Sequence, residues 1–379
     1  MSELSEREIK NITRAFVRRS MGVGRKKGGY EAVRILYNRT DPSCEKFAQK
    51  VEEECWTVGA HTILLGYSSQ RQKMDYVLKP TASLRKMNPF SEALARNADV
   101  SIYIGEEDDP LWAEGLALKL RLTAPNRQKL RGILDKRKVR WAYFGWPIPG
   151  ASKSYGIPVK RFRQIFFNSI RKSFGRELRR YCEFYRKALA GGDKVKITAD
   201  DGTDLRFRIK GRPVLVDDGA ISSEDIARGD VGLNIPSGEV FVAPLETSAD
   251  GRISFENVAI PGFGKLRGLE LTFRRGKVVD YTAESGIYKF ARFLKANTGE
   301  KDRIAELGIG TNPGAEYTGG SIIVDEKIFG TIHIAIGNNL GSYHGRNKAS
   351  SHLDMIKNMK GGQVFVDGKL ILNRGDPVD

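Results

Sequence analysis

At Gly191-Gly192 the chain changes its grammar, and that break limits the possible folds more than any other feature of the sequence. Before it, short β-rich runs alternate with helical stretches. YEAVRILYN from Tyr30 and AHTILLGY from Ala60 flank a charged amphipathic helix from Cys44 to Trp56. DVSIYIG from Asp99 is a third strand, and a basic helix over about Ala113 to Arg137 leads into VRWAYFGWP. Such alternation produces a mainly parallel sheet covered by helices. Pro and Gly after Trp146 interrupt it, and the run from Ser154 to Gly192 is then strongly helical, with a break near Gly175. After Gly192 the apolar residues alternate instead. KVKITADDGTDLRFRIKGRPVLVDDG from Lys194 carries Asp-Gly turns, and the segments from Ile253, Leu266 and Gly361 repeat that hairpin pattern. A chain of 379 residues also exceeds one ordinary core. The expectation is therefore two domains: residues 1–190, α/β with a mainly parallel sheet and helices, and residues 191–379, strand-rich α+β.

Charge divides at the same place. Residues 1–190 hold 38 Lys and Arg against 20 Asp and Glu, a net +18, leaving 25 against 26, a net −1, for residues 191–379. A basic half attracts nucleic acid, acidic peptides or an anionic membrane face, and it is equally compatible with a solvated surface that has no partner. The candidate contacts for nucleic acid are Arg25-Lys26-Lys27, Lys136-Arg137-Lys138 and Arg179-Arg180. None lies in a recognisable nucleic-acid motif, so such a partner is not expected. GVGRKKGG near Gly22 precedes a strand where a phosphate loop would follow one, and reads as a turn. No stretch reaches the roughly 18 apolar residues needed to cross a membrane. The polar, acidic opening MSELSEREIKN lacks the features of a secretory signal, which points to the cytoplasm. Cys44, Cys55 and Cys182 form no Cys-x-x-Cys pair, so buried free thiols are expected.

The chemistry concentrates in the second half. Three of the four histidines, His333, His344 and His352, fall within one short stretch. His333 sits in GTIHIAIG, an apolar strand where an imidazole needs a polar partner. The alternatives are a core histidine satisfied by a carbonyl and a metal ligand. His352-Leu353-Asp354 places an imidazole and a carboxylate on one side of an extended segment, a weak signal alone. Glu239 in NIPSGEVFVAP and Glu306 in AELGIGTNP both interrupt apolar or Gly/Pro-rich segments. Buried carboxylates are costly unless paired, and one shared cation would satisfy several of them together.

These blocks carry a family likeness. GTDLRF at Gly202, NIPSGEVFVAPLE, AELGIGTNP, DEKIFGTIHIAIG and SSHLDMI occur in the order and spacing of the aminopeptidase T and aminopeptidase S family of metallo-aminopeptidases, which the chain resembles over its length. The resemblance implies metal ligands at Glu239, Glu306, His333, His352 and Asp354, with Glu326 a further acidic position, as ligand or in support of one. It implies two divalent ions, for which the oxygen and nitrogen donors suit zinc, cobalt or manganese. Such ions, roughly 3.5 to 4 Å apart, share a hydroxide that attacks the scissile carbonyl of a peptide. It also implies a homodimer. Where tyrosine-bearing members place a tyrosine seven residues after the first histidine, this chain has Leu340; Tyr343 or His344 is the candidate replacement, Tyr343 being preferred as a catalytic group beside Glu306. GNNLGSYHGRN around them reads as a flexible loop. Two other readings compete. A ring-cleaving non-haem iron(II) dioxygenase resembles the same family, but a mononuclear facial site does not require both Glu239 and Glu306. The other is a basic nucleic-acid-binding module with a degenerate metal site.

Overall fold

The computed structural model describes residues 3–25 and 29–378 and divides into two compact units. Lys26 and Lys27, with the tip of the expected turn, lie outside the described residues. The first unit runs through Phe167 and adds Gly219–Ile235. Its five-stranded sheet is ordered His61–Tyr67, Ala32–Asn38, Val100–Ile104, Arg140–Phe144, Gly232–Ile235, all parallel. Helix Pro42–Thr57 shows why the segments take these forms. Asp41 accepts the Ser43 N–H at 2.8 Å, Pro42 opens the first turn, and Cys44, Phe47, Ala48, Val51 and Cys55 bury one stripe at helical spacing. Phe47 stacks on Trp146 with ring centroids 4.4 Å apart and meets Phe144 at 4.7 Å. The basic helix observed over Ala117–Lys136 buries no residue, so its charges are largely a solvated face. Arg137 pairs with Asp99 at 3.3 Å, and Lys138 donates to the carbonyls of Ile226 and Ala227 at 3.2 Å.

The expected boundary at 190 is displaced. The division falls at Phe167/Asn168, inside helix Val159–Ser173, because the following helix, Arg176–Leu189, gives Leu178, Cys182, Tyr185 and Leu189 to the second core. The chain also returns once, since Gly232–Ile235 pairs with Arg140–Phe144. A four-residue strand is too short for its alternation to leave a clear mark in sequence.

The second unit contains two antiparallel sheets. One has eight strands, ordered Lys277–Thr282, Gly264–Arg274, Asp250–Ile260, Asp204–Arg208, Lys194–Ala199, Gly362–Val366, Lys369–Asn373, Asp376–Pro377. The other has five, ordered His352–Asn358, Thr331–Gly337, Ile304–Gly310, Glu239–Val242, Val214–Asp217. Asp367 and Gly368, at φ of 49° and 85°, make the Asp-Gly hairpin turn that the sequence announces. One apolar cluster draws on both sheets and on helices Arg176–Leu189 and Ile287–Ala296. The three cysteines are free and buried, and burial pushes the Cys44 and Cys55 thiols up to about 12. Among the described residues no helix is long and apolar enough to cross a membrane.

Candidate metal centre

Strand alternation separates core from chemistry on the five-stranded sheet. Ile332, Ile334 and Ile336 enter the apolar cluster, as do Leu307 and Ile309, Leu353 and Met355, and Val240 and Val242. The intervening positions face the other way: Glu239, Glu306, His333, His352 and Asp354. Ile304 and Leu307 both reach the core although three residues apart, which requires the bulge found between Ile304 and Glu306. Register then groups the polar side chains: Gly308 lies opposite His333, Ala335 lies between Glu306 and Asp354, and Glu239 is flanked by Gly310 and Asp217. Two glycines and an alanine thus form the floor beneath the larger side chains. A Cβ on Gly308 would enter the His333 ring, 2.8 Å from Nδ1 and closer still to Cε1 and Nε2.

Glu306 sits between the two imidazoles. Its Oε1 is 3.2 Å from His333 Nε2 and its Oε2 is 3.2 Å from His352 Nε2. His333 Nε2 is also 3.7 Å from Glu239 Oε2, and His352 Nε2 is 3.1 Å from Asp354 Oδ1. His352 Nδ1 lies 2.7 Å from the Asn338 carbonyl, which assigns the proton to Nδ1 and turns Nε2 toward the cluster. Glu326, just before the Thr331–Gly337 strand, reaches the same place, while its neighbour Asp325 accepts the Thr318 and Gly320 N–H groups and holds the loop. Glu239, Glu326 and His333 form one group of converging donor atoms; Glu306, His333 and Asp354 form another. The side chain of His352 is 28% exposed, so the centre opens to solvent on that side.

Lys327 was not anticipated. Wholly buried, its ammonium lies 2.5 Å from Glu239 Oε1, 2.7 Å from Glu326 Oε1 and 3.5 Å from Asp217 Oδ2. A lysine following two acids looks like a solvated loop, and no local signal distinguishes it. The electrostatics follow from burial and these partners. Burial pushes Glu239 and Asp217 each up to about 7, and raises Glu326, in every case against the pull of Lys327. Burial alone would also raise Glu306, but hydrogen bonds from His333 and His352 hold it well below the carboxylate range. Burial would lower His333, yet Glu306 raises it to about 9. His352 is likewise raised, by Asp354 and Glu306 acting against burial.

The loop after His333 is held, contrary to the flexible segment expected. Buried Asn339 and Asn347 bond to each other, the Asn347 N–H reaching Asn339 Oδ1 at 2.8 Å, and the Asn347 amide donates to the Ile304 carbonyl at 2.7 Å beside the bulge. Arg212 pairs with Glu246 at 2.6 Å and donates to the His344 carbonyl, while Glu246 accepts the Arg346 N–H at 2.7 Å. Tyr343 is thereby set 5.5 Å from the Phe241 ring and 6.0 Å from the His352 ring, centroid to centroid. Burial and then the carboxylates of Glu306 and Asp354 push its phenol well above the usual value. Leu340 is 41% exposed and His344 points outward, so neither joins the cluster.

The donor set can be tested for a cation. Glu239 Oε2, His333 Nδ1 and both Asp217 oxygens are buried without hydrogen-bond partners, although such groups rarely remain unsatisfied. Carboxylates outnumber the single ammonium, and the donors are oxygen and imidazole nitrogen. Divalent cations fit this arrangement. The class so defined is a metalloprotein whose centre lies on one face of an antiparallel sheet. Residues 23–369 match the thermophilic metalloprotease (M29) family. No curated protein matches the chain. Among solved structures, the fold is similar to AmpT from Thermus thermophilus, with a TM-score of 0.76 at 19% identity, covering 99% of this chain and 100% of that one. It is also similar to 2,5-dihydroxypyridine dioxygenase from Pseudomonas putida KT2440, with a TM-score of 0.62 at 14% identity, covering 99% and 98%. The chain belongs to the thermophilic metalloprotease (M29) family. It is thus a metalloprotease by family, a peptide hydrolase that uses divalent metal.

Proposed function

We propose that this enzyme removes N-terminal residues from peptides with two divalent ions, zinc, cobalt or manganese, held by Glu239, Glu306, Glu326, His333, His352 and Asp354. The supporting observation is the placement of Glu306, whose two oxygens face two different histidines at 3.2 Å each. One carboxylate between two imidazoles, each with acids of its own, suits a pair of ions better than one. When bound, such ions supply an activated water and polarise the scissile carbonyl. The chain's own groups do the rest. The Asn338 carbonyl fixes the ring of His352. Tyr343, kept protonated by burial and nearby carboxylates, retains an O–H to donate, and on this reading it would bond the oxygen on which negative charge develops. The same reading places the protein in the cytoplasm as a homodimer, with peptides as substrates.

The test is metal content per chain after anaerobic reconstitution with zinc, cobalt, manganese and iron(II) offered together. About two non-iron ions are expected in wild type and fewer in Glu306→Ala, whereas a single iron indifferent to Glu306 would establish the oxygenase chemistry instead. A second expectation concerns the phenol. Tyr343→Phe should retain its metal while kcat/KM on an aminoacyl amide falls about 100-fold, the usual loss when one oxyanion donor is removed. Unchanged turnover would remove Tyr343 from the mechanism.

A further inference from the structure

The chain carries a cation of its own inside the acidic group. Lys327 takes one oxygen of Glu239 at 2.5 Å and one of Glu326 at 2.7 Å, with Asp217 at 3.5 Å, and its side chain has no exposure to solvent. It cannot easily withdraw, because its N–H bonds the Val324 carbonyl at 3.0 Å and its carbonyl accepts the Asn312 N–H at 2.8 Å. Glu239 therefore has one oxygen committed to the ammonium and the other, Oε2, turned toward His333 without a hydrogen-bond partner.

We infer that Lys327 and the divalent ion of the Glu239/Glu326 group are antagonists: the ammonium holds this acidic group together when metal is absent and weakens metal binding when it is present. The inference rests on the metal reading of Glu239 and Glu326 given above. Its physical basis is twofold. Removing the ammonium from three buried carboxylates, with the His333 ring 3.7 Å from one of them, leaves their charge undercompensated, which is strongly destabilising unless another cation replaces it. In the other direction, a fixed positive charge repels an incoming ion and denies it one oxygen from each glutamate. By linkage, the amount by which Lys327 weakens metal binding equals the amount by which bound metal reduces the stabilising contribution of Lys327. The two metal positions are consequently unequal, and the group that contains Lys327 is the weaker.

The experiment compares the full-length wild type with Lys327→Met and Lys327→Gln, each stripped by chelator and then titrated with Mn2+ alone. Manganese lies at the weak end of the divalent series, which keeps dissociation constants measurable. Stoichiometry and affinity are read by calorimetry, and Tm is read with and without Mn2+. In the variants the weaker Mn2+ should bind at least about 10-fold more tightly. Metal-free Tm should fall, and the rise in Tm on adding Mn2+ should exceed that of wild type. A variant that is unfolded without Mn2+ and folds on its addition has the same meaning. Equal or weaker Mn2+ binding, with Tm lowered alike in both forms, would overturn the inference and make Lys327 a positioning residue for its glutamates. A variant that fails to fold even with Mn2+ overturns it as well. Wild-type stoichiometry keeps the two ideas apart: a wild type that takes no Mn2+ sinks the metal reading and this inference with it, whereas Mn2+ in the wild type without the difference sinks only the inference.

Discussion

Replacing Gly308 with alanine is expected to empty the centre of metal and lower kcat/KM by at least about 100-fold while the fold survives. The position has no unusual backbone; its requirement for glycine is steric. Gly308 lies opposite His333 in the ladder, and an added methyl would occupy the space of the imidazole, 2.8 Å from Nδ1 and nearer to Cε1 and Nε2. His333 is 1% exposed and its strand is buried throughout, so the ring must move by roughly 1 Å within a packed layer. That movement costs about 1–3 kcal/mol as overpacking. Its functional cost is larger, because ligand distances tolerate only about ±0.2 Å. A double variant separates the two costs. His333→Ala removes the ring that the methyl strikes, so adding Gly308→Ala to it should leave Tm near that of His333→Ala alone, with metal still lost. Additive losses in Tm would show that the alanine is harmful for some reason other than His333.

Gly308 also shows what a sequence can and cannot disclose. Of the proposed ligands, Glu239, Glu306 and His333 stand out in the sequence because each is a polar residue in a run that otherwise reads as buried strand, where burial demands compensation. Glu326, by contrast, is implied only by the family resemblance, and His352 with Asp354 gives a weak signal alone. Helix Pro42–Thr57 and strand Val100–Ile104 of the first unit were legible for the converse reason, since they obey their periodicities. Three things were not. Gly308 is one glycine in ELGIG, and its purpose appears only when the neighbouring strand sets His333 beside it. Lys327 follows Asp325 and Glu326 in a segment that looks solvated, and its burial depends on Asp217 and Glu239, both far away in sequence. The loop carrying Tyr343 is rich in Gly and Asn, a composition that suggests mobility, yet Asn339, Asn347 and Arg212 tie it down through partners distant in the chain. In each case the missing information is long-range pairing.

Metal affinity should rise steeply with pH, by about 100-fold per unit just above pH 7, with about two protons released as the centre fills. Glu306 is held below its ordinary range by His333 and His352, so its contribution to stability is full above the unfolded carboxylate value of about 4.3 and is lost as pH falls through the depressed folded value. His333, raised to about 9, contributes fully below its unfolded value of about 6.5 and loses that contribution as pH rises through 9. His352, raised as well, acts in the same direction. Without metal, these pairs therefore support the fold best between about pH 4.5 and 6.5 and progressively less toward pH 9. A metal ion needs both rings neutral, so at pH 7 it must expel the two protons that they carry. Glu239, pushed up to about 7, adds a third below that pH and makes the dependence steeper there. Calorimetric titration in buffers of different ionisation enthalpy counts the protons directly. Near-zero release at pH 7 would mean that the imidazoles are already neutral and that Glu306 does not charge them. Release of about two predicts that the unfolding temperatures of the metal-free and metal-loaded protein diverge as pH rises, the first falling while the second is sustained by tightening metal binding.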